Sequence, residues 1–341
     1  MKRRSGLTPF LVSLLLSLGL VGYLLSRIQL ADLLQTFTRI YLPSLGLYGL
    51  LALLGSCLRA YRYRLLIGPE RISPGGILLV TLIRNLFVDL LPAKLGSLSY
   101  IYLLVRRFGL PLETGTSTFI LAAVFDALSL SPLLLLAIFM VGLGQTLLST
   151  AQFALIALGF LLLLILALVS LAALLRLALR IGNRLLHALG LRERWGVPHL
   201  LQKMSLTIEA VEAIQGRGIY SAVFFLSILL RLLKYGSLYF LLHALLLNQG
   251  FPLAALNFWK VILGIAGAEL SANLPVQGIG GLGTWETAFA LAFRLMGYEE
   301  RIAIVAGFGL HLITQLFEYS LGALAILLLA LPALRSRRPR L

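Results

Sequence analysis

The chain has 341 residues, 60% of them hydrophobic and only 12% charged, with a formal net charge of +16. A soluble domain of this length has no core large enough for so much apolar sequence, so the composition excludes an ordinary soluble protein and indicates the membrane class. The basic residues stand in short segments between apolar runs, and no nucleic-acid-binding module is present, so we expect anionic membrane lipids rather than nucleic acids as partners.

Six apolar runs reach the length of about 20 residues that a membrane-spanning helix needs. The first follows the basic residues 1–4 and lacks a small-residue cleavage site, so it is predicted to be an uncleaved signal anchor. In chain order the runs cover residues 7–25, 43–67, 116–141, 153–175, 220–247 and 302–331.

Two further regions, 76–107 and 253–297, are apolar but interrupted near the middle by proline and glycine. The first break begins at Leu91-Pro92, and the second extends from Leu274-Pro275 to Gly283. The pieces on either side are mostly too short to cross a bilayer, so each region is predicted to form a re-entrant hairpin of two half-helices. The predicted fold is therefore an all-α integral membrane protein with about six spanning helices and two re-entrant hairpins.

Lysine and arginine predict the orientation. The segments 1–4, 59–71, 106–107, 176–203 and 335–340 carry the basic residues and should be cytoplasmic, whereas 142–152 and 247–253 have none and should face outward. This places both termini in the cytoplasm of a bacterial or archaeal inner membrane. Arg27 and Arg39, on an outer segment, are the exception.

The cytoplasmic link 176–218 places Arg176, Arg180 and Arg184 four residues apart, with leucines between them. This spacing predicts a basic amphipathic helix lying on the inner leaflet. An ordinary solvated linker helix is the alternative.

The two halves of the chain repeat the same order of features. Arg59 and Arg62 are three residues apart before the first hairpin, and Arg231 and Lys234 are three apart before the second. The predicted topology makes the two units cross the membrane in opposite directions. We therefore expect one transmembrane domain, 1–341, with inverted repeats at 43–141 and 220–331, which is the organisation of alternating-access transporters.

Ionisable residues within membrane segments are expensive, so each is a candidate for function. The cationic candidates for binding a phosphate-bearing head group are Arg59, Arg62, Arg84, Lys94, Arg231 and Lys234. For Arg59 and Arg62 a cytoplasmic anchor is an equal explanation. For Arg231 and Lys234 the alternative is a structural ion pair with Glu269 or Glu318.

The second break supplies a predicted half-helix N-terminus, which favours anions. Its candidate binding residues are Asn273, Gly280, Gly281, Gly283 and Thr284, although glycine and proline also suffice to make a turn. The dinucleotide-like spacing of glycines at 278–283 is rejected, because that motif requires a preceding strand.

The acidic candidates for proton coupling or charge balance are Asp126, Glu269, Glu286 and Glu318. His311 is expected to be a packed polar residue, with a proton relay as the alternative. We expect no catalytic residues, no metal and no cofactor, because no nucleophile–base arrangement, paired-carboxylate motif or metal-ligand spacing stands out.

The two breaks carry a family resemblance. Residues 85–109, with Leu91-Pro92-Ala93-Lys94-Leu95-Gly96-Ser97 and Arg106-Arg107-Phe108-Gly109, resemble the first signature of the lysylphosphatidylglycerol synthase transmembrane (flippase-like) family. Leu274-Pro275 with Gly280-Gly281-Leu282-Gly283-Thr284-Trp285-Glu286 is similar to the second. Lys94 and Ser97 stand where the first signature has Arg and Glu, and Val124-Phe125 replace the Glu-Arg common before Asp126.

The resemblance implies a membrane protein that moves lipids or lipid-linked molecules between leaflets. No segment the size of the family's soluble aminoacyl transferase follows Leu331, so we expect no lysyl transfer. Two alternatives remain: a non-transporting partner or regulator of a lipid- or glycan-modifying enzyme, and a membrane glycosyltransferase-like enzyme.

Overall fold

The computed structural model describes residues 7–69, 71–142, 150–193, 196–271 and 279–331. This part of the chain contains thirteen α-helices and no strands. The helices are α1 Leu7–Leu25, α2 Leu30–Thr38, α3 Leu42–Ile67, α4 Pro74–Leu90, α5 Leu98–Phe108, α6 Leu112–Val141, α7 Thr150–Val169, α8 Leu171–Ala188, α9 Val197–Gln215, α10 Tyr220–Leu246, α11 Phe258–Ser271, α12 Thr284–Leu295 and α13 Glu300–Ala330.

Four helices are long and apolar enough to cross a membrane: α3, α6, α10 with its following turn to Gln249, and α13. A bent pair, α7 with α8, is a fifth candidate. The chain is therefore an all-α, multi-pass membrane protein, as predicted. Four or five spans are thus supported, and a sixth span over α1 stays a prediction.

The predicted span 153–175 is interrupted by a bend, so it counts as a candidate only if the bent pair is taken as one span. The chain bends by 69° between α7 and α8, so residues 171–175 belong to the next helix. Ser170 stands at the bend, and its hydroxyl donates to the Leu166 carbonyl at 2.6 Å. A serine side chain bound to the preceding turn competes with the regular backbone ladder and favours bending.

The basic link folds as two helices. Arg176, Arg180 and Arg184 all lie on α8, and Arg176 forms an ion pair with Glu212 of α9. Helix α9 buries Ile208, Val211 and Ile214 in the same apolar cluster as residues of α3 and α6. The link is thus partly packed into the protein, while the contact of α8 with the inner leaflet stays a prediction.

Both interrupted regions form two short helices around a break. Helices α4 and α5 are separated by a 3-10 turn, Pro92–Ser97, and α11 and α12 are joined through residues 272–278, outside the described ranges, and a 3-10 turn, Ile279–Gly281. The two 3-10 turns contain residues whose Cα atoms lie within 8 Å of each other. The tips of the two regions therefore meet.

Gly96 shows why the first break needs glycine. A Cβ at this position would lie 1.6 Å from the Phe87 carbonyl oxygen, so the turn folds directly against the end of α4. No side chain fits such a contact, and only glycine permits the backbone to approach so closely.

The two halves of the chain pack in a crossed manner. Helix α3 packs along α10, α4 packs against α13, and α11 packs against α6. In the last two pairs the first short helix of one half contacts a long helix at the end of the other. This packing encloses a cavity between the halves, whereas the rotation that would relate two inverted repeats stays a prediction.

Candidate functional site

A cavity of about 320 Å³ lies between α3, α4, α6, α10, α11 and α13. Leu51, Leu230, Leu238 and Ile265 give it an apolar part. Its charged lining consists of residues predicted from the sequence as functional: Arg59, Arg84, Asp126, Arg231, Lys234, Glu269 and Glu318. Pockets of about 300–1,000 Å³ with a few convergent polar groups are typical of ligand sites.

One side of the cavity, here called the first wall, is formed by Arg59 of α3 with Arg84 and Asn85 of α4. Arg59 Nη1 donates to Asn85 Oδ1 at 3.0 Å, and Arg84 Nη1 approaches the same oxygen at 3.5 Å. Among the side chains that the structure describes, which do not include that of Asp89 on α4, neither guanidinium has a carboxylate within 4 Å, and the buried Nε of Arg84 has no hydrogen-bond acceptor. Two cations therefore share one neutral acceptor.

The opposite side, the second wall, is formed by Arg231 and Lys234 of α10 with Glu269 of α11. Lys234 Nζ lies 2.7 Å from Glu269 Oε1, and Arg231 Nη1 lies 3.5 Å from Glu269 Oε2. These are the residues predicted either to bind a head group or to pair with Glu269. The observed distances show the ion pair with Glu269, so one carboxylate offsets part of the positive charge of this wall.

Arg62 lies beneath both walls rather than in the cavity. Its side chain is fully buried, and Nη1 donates to Asp126 Oδ1 of α6 and to Ser227 Oγ of α10, both at 2.7 Å. Arg231 Nη2 also donates to the Asp126 carbonyl at 3.0 Å. Arg62 and Asp126 thus join α3, α6 and α10, so their geometry is that of a structural link between the two halves.

Glu318 of α13 completes the charged lining. It is half-buried, and within the described ranges it has no ion pair shorter than 4 Å. Among the predicted acids, Asp126 and Glu269 form ion pairs and Glu286 is buried at the second tip. Glu318 is therefore the predicted acid whose carboxylate lines the cavity without an ion pair among the described residues.

The second tip is organised around Glu286, which is fully buried. Its Oε2 accepts from the Gly283 N–H at 2.7 Å, and its Oε1 lies 2.6 Å from His311 Nδ1. Gln315 Nε2 donates to His311 Nε2 at 2.8 Å, so Nδ1 carries the ring proton and donates to Glu286. The Gly283 N–H at the start of α12, predicted as part of an anion site, is already occupied by the carboxylate of its own helix.

The glycines of this tip have structural roles in this geometry. The Gly280 carbonyl accepts a hydrogen bond from Gln315 Nε2 at 2.6 Å, and Thr284 Oγ1 donates to the Gly281 carbonyl at 2.9 Å. Gly283 has a φ of +86°, and a Cβ there would lie 2.8 Å from Leu20 Cβ of α1. The four predicted binding residues of this tip, Gly280, Gly281, Gly283 and Thr284, do not line the cavity. Asn273 lies outside the described residues, as does the side chain of Lys94.

Sequence reasoning missed Asn85, Ser227 and Trp285 as parts of the site. Trp285 lines the cavity and stacks on His311 with ring centroids 5.0 Å apart. Asn85 follows Arg84 directly, and Ser227 precedes Arg231 by one helical turn. Polar residues beside a charged residue in an apolar helix are the signal that would have found the first two.

The described residues contain no group of three or more histidine, cysteine, aspartate and glutamate side chains able to hold a metal ion. No curated protein and no solved structure matches the chain. Residues 10–322 match the family described as the lysylphosphatidylglycerol synthase TM region, which covers both interrupted regions and the whole charged cavity. The chain therefore belongs to the lysylphosphatidylglycerol synthase transmembrane-region family.

Proposed function

We propose that this protein moves an anionic phospholipid or a lipid-linked, polyisoprenoid molecule between membrane leaflets by alternating access. The observation that carries the proposal is the charged cavity between the two halves, which is lined by residues of both interrupted helical regions. Transporters built from broken helices place their substrate sites at such positions. The head group would occupy the cavity while the tails remain in lipid.

The crossed packing of the halves supports alternating access. Helix α4 packs on α13 and α11 packs on α6, so each interrupted region is attached to the other half of the chain. A rocking movement of one half against the other would therefore carry both tips with it. Superposition of 43–141 on 220–331 by a rotation of roughly 180° about an axis in the membrane plane is the arrangement that this mechanism requires.

Transport is testable with the purified protein in liposomes. Lipids labelled on a tail with a fluorophore are reconstituted in both leaflets, and a membrane-impermeant reductant bleaches the outer leaflet. If the protein moves lipid, bleaching proceeds to the inner-leaflet pool, whereas liposomes without protein keep that pool. The contrary result is an inner-leaflet label that survives the reductant as fully as it does in empty liposomes, both for phospholipids and for a polyisoprenyl phosphate. That result would contradict transport and favour a non-transporting partner of another enzyme.

The proposed orientation has its own test. Cys57 is exposed and is first replaced by serine, after which single cysteines are introduced as Gln145→Cys and Arg192→Cys. An impermeant thiol reagent applied to intact cells should label position 145 only, because 142–152 lacks basic residues and the link 176–218 is rich in them. Labelling of position 192 alone would show that the topology is the reverse of the predicted one.

A further inference from the structure

The first wall holds two cations, Arg59 and Arg84, that no described carboxylate contacts within 4 Å. Arg59 and Arg84 converge on the amide oxygen of Asn85, which is 5% exposed and carries no charge. A partly buried cation without a counter-ion is costly, so an arrangement of this kind is stabilised when an anion binds.

The charges around the cavity give the size of the imbalance. The lining includes four cations, Arg59, Arg84, Arg231 and Lys234, and three carboxylates, Asp126, Glu269 and Glu318. Asp126 is matched by Arg62 beneath the cavity, which makes five cations against three carboxylates. Among these described side chains, two positive charges remain when all three acids are ionised.

We propose that Arg59 and Arg84 form a phosphate site whose ligand is the phosphate monoester of a lipid. This inference rests on the proposed function and assigns its substrate class. A monoester carries a charge of about −1.5 to −2 at pH 7, which matches the surplus of the cavity, whereas a phosphodiester carries only one negative charge. A monoester also presents three oxygens, enough for the forked donors of two arginines.

The geometry places the phosphate at the first wall rather than the second. Arg231 and Lys234 already share Glu269, so an anion there would have to compete with a carboxylate 2.7 Å from Lys234 Nζ. At the first wall an anion displaces only a neutral amide as the acceptor of Arg59 and Arg84. Leu51 and Val88 adjoin this wall and suit the first carbons of an apolar tail.

Binding is measured by native mass spectrometry of the full-length protein in detergent, so no transport is needed. Dioctanoyl phosphatidic acid is the monoester probe, dioctanoyl phosphatidylglycerol the diester, and inorganic phosphate the ligand without a tail. We expect phosphatidic acid to bind at least tenfold more tightly than either alternative, by an order-of-magnitude estimate from charged hydrogen bonds. Equal affinity for the diester would overturn the monoester assignment, and equal affinity for inorganic phosphate would overturn the lipid assignment.

Arg59→Gln with Arg84→Gln tests the residues. The double variant should lose about 10- to 100-fold in affinity for phosphatidic acid, because charge-assisted hydrogen bonds are removed. The matched control is Arg71→Gln with Arg192→Gln, which removes the same charge from two exposed positions outside the cavity and should bind as the wild type does.

Unchanged binding by Arg59→Gln with Arg84→Gln would overturn the site. If this variant does not fold, Arg59→Lys with Arg84→Lys keeps the charge but removes the forks, and it should still bind more weakly than the wild type. Transport by a wild-type protein that shows no preference for the monoester would refute this inference alone. A monoester preference in a protein that moves no lipid would refute only the proposed function.

Discussion

The two walls of the cavity begin from similar sequence and end with different electrostatics. Each wall uses cations from a pair spaced three residues apart on a long helix: Arg59 with Arg62 on α3, or Arg231 with Lys234 on α10. Each wall is completed by the short helix that precedes a proline break. In the second wall the short helix supplies Glu269, which pairs with both cations of α10. In the first wall α4 supplies Arg84 and Asn85 instead, and the positive charge is left for a ligand.

The difference shows that the role of a membrane cation depends on what the neighbouring helix provides. Arg231 and Lys234 lie deep within their span, which made them the preferred binding residues from sequence. Because Glu269 pairs with both side chains, their role is largely structural. Arg59 had the weaker case, yet α4 brings to it a second arginine and the neutral amide of Asn85. We therefore expect substitutions in the two walls to have separable effects on stability and on anion binding.

The largest effect should come from the link beneath both walls. Asp126→Asn removes the counter-ion of Arg62, whose side chain is fully buried, and should lower the free energy of unfolding by about 3 kcal/mol. Chemical or thermal unfolding in detergent measures the change. Arg62→Gln combined with Asp126→Asn should cost less than the sum of the single changes, since no unpaired charge remains. Additive costs would contradict a direct pair.

Glu269→Gln makes the second wall resemble the first. It leaves Arg231 and Lys234 without their carboxylate, and because both are partly exposed the stability should fall by only about 1–2 kcal/mol. The same change should raise the affinity for phosphatidic acid, since the cavity gains net positive charge. Unaltered stability together with weaker binding would show that Glu269 faces the ligand rather than its neighbours.

Asn85→Asp makes the first wall resemble the second. The substitution keeps the shape of the side chain but places a carboxylate between Arg59 and Arg84. Affinity for phosphatidic acid should fall by about tenfold, while the unfolding midpoint should be unchanged or higher because the new carboxylate pairs with buried cations. Asn85→Ala separates the new charge from the lost acceptor and should weaken binding less. Equal losses in the two variants would show that the amide itself contacts the ligand.

The smallest effect is expected from neutralising the second wall as a unit. Arg231→Gln, Lys234→Gln and Glu269→Gln together remove two cations and their shared acid, so affinity should change by no more than about fivefold, the range of a weak, partly exposed ion pair. Arg231→Gln with Lys234→Gln alone leaves Glu269 uncompensated and should bind the anion less well than the triple variant. A triple variant that loses binding as severely as Arg59→Gln with Arg84→Gln would assign the phosphate to both walls.

Residues that the sequence singled out for their charge within apolar segments did come together in one cavity: Arg59, Arg84, Asp126, Arg231, Lys234, Glu269 and Glu318. The principle behind this success is general, because an ionisable group in lipid must turn toward other polar groups. The anion site predicted at the second tip is different, because the Gly283 N–H is already bound by the Glu286 carboxylate. Glu286 lies three residues after Gly283, and that spacing favours an internal cap over an open helix end.

The sequence by itself determined the membrane class, the two interrupted regions and the identity of the charged residues. These follow from apolar run length, from proline and glycine, and from the energetic cost of charge in lipid, all of which are local properties. Only the tertiary structure decided which charges meet. Pairing depends on contacts between residues far apart in the chain: α4 with α3, α11 with α10, and α6 beneath both. The same long-range packing assigned Glu269 to Lys234 and left Arg59 and Arg84 with a neutral amide.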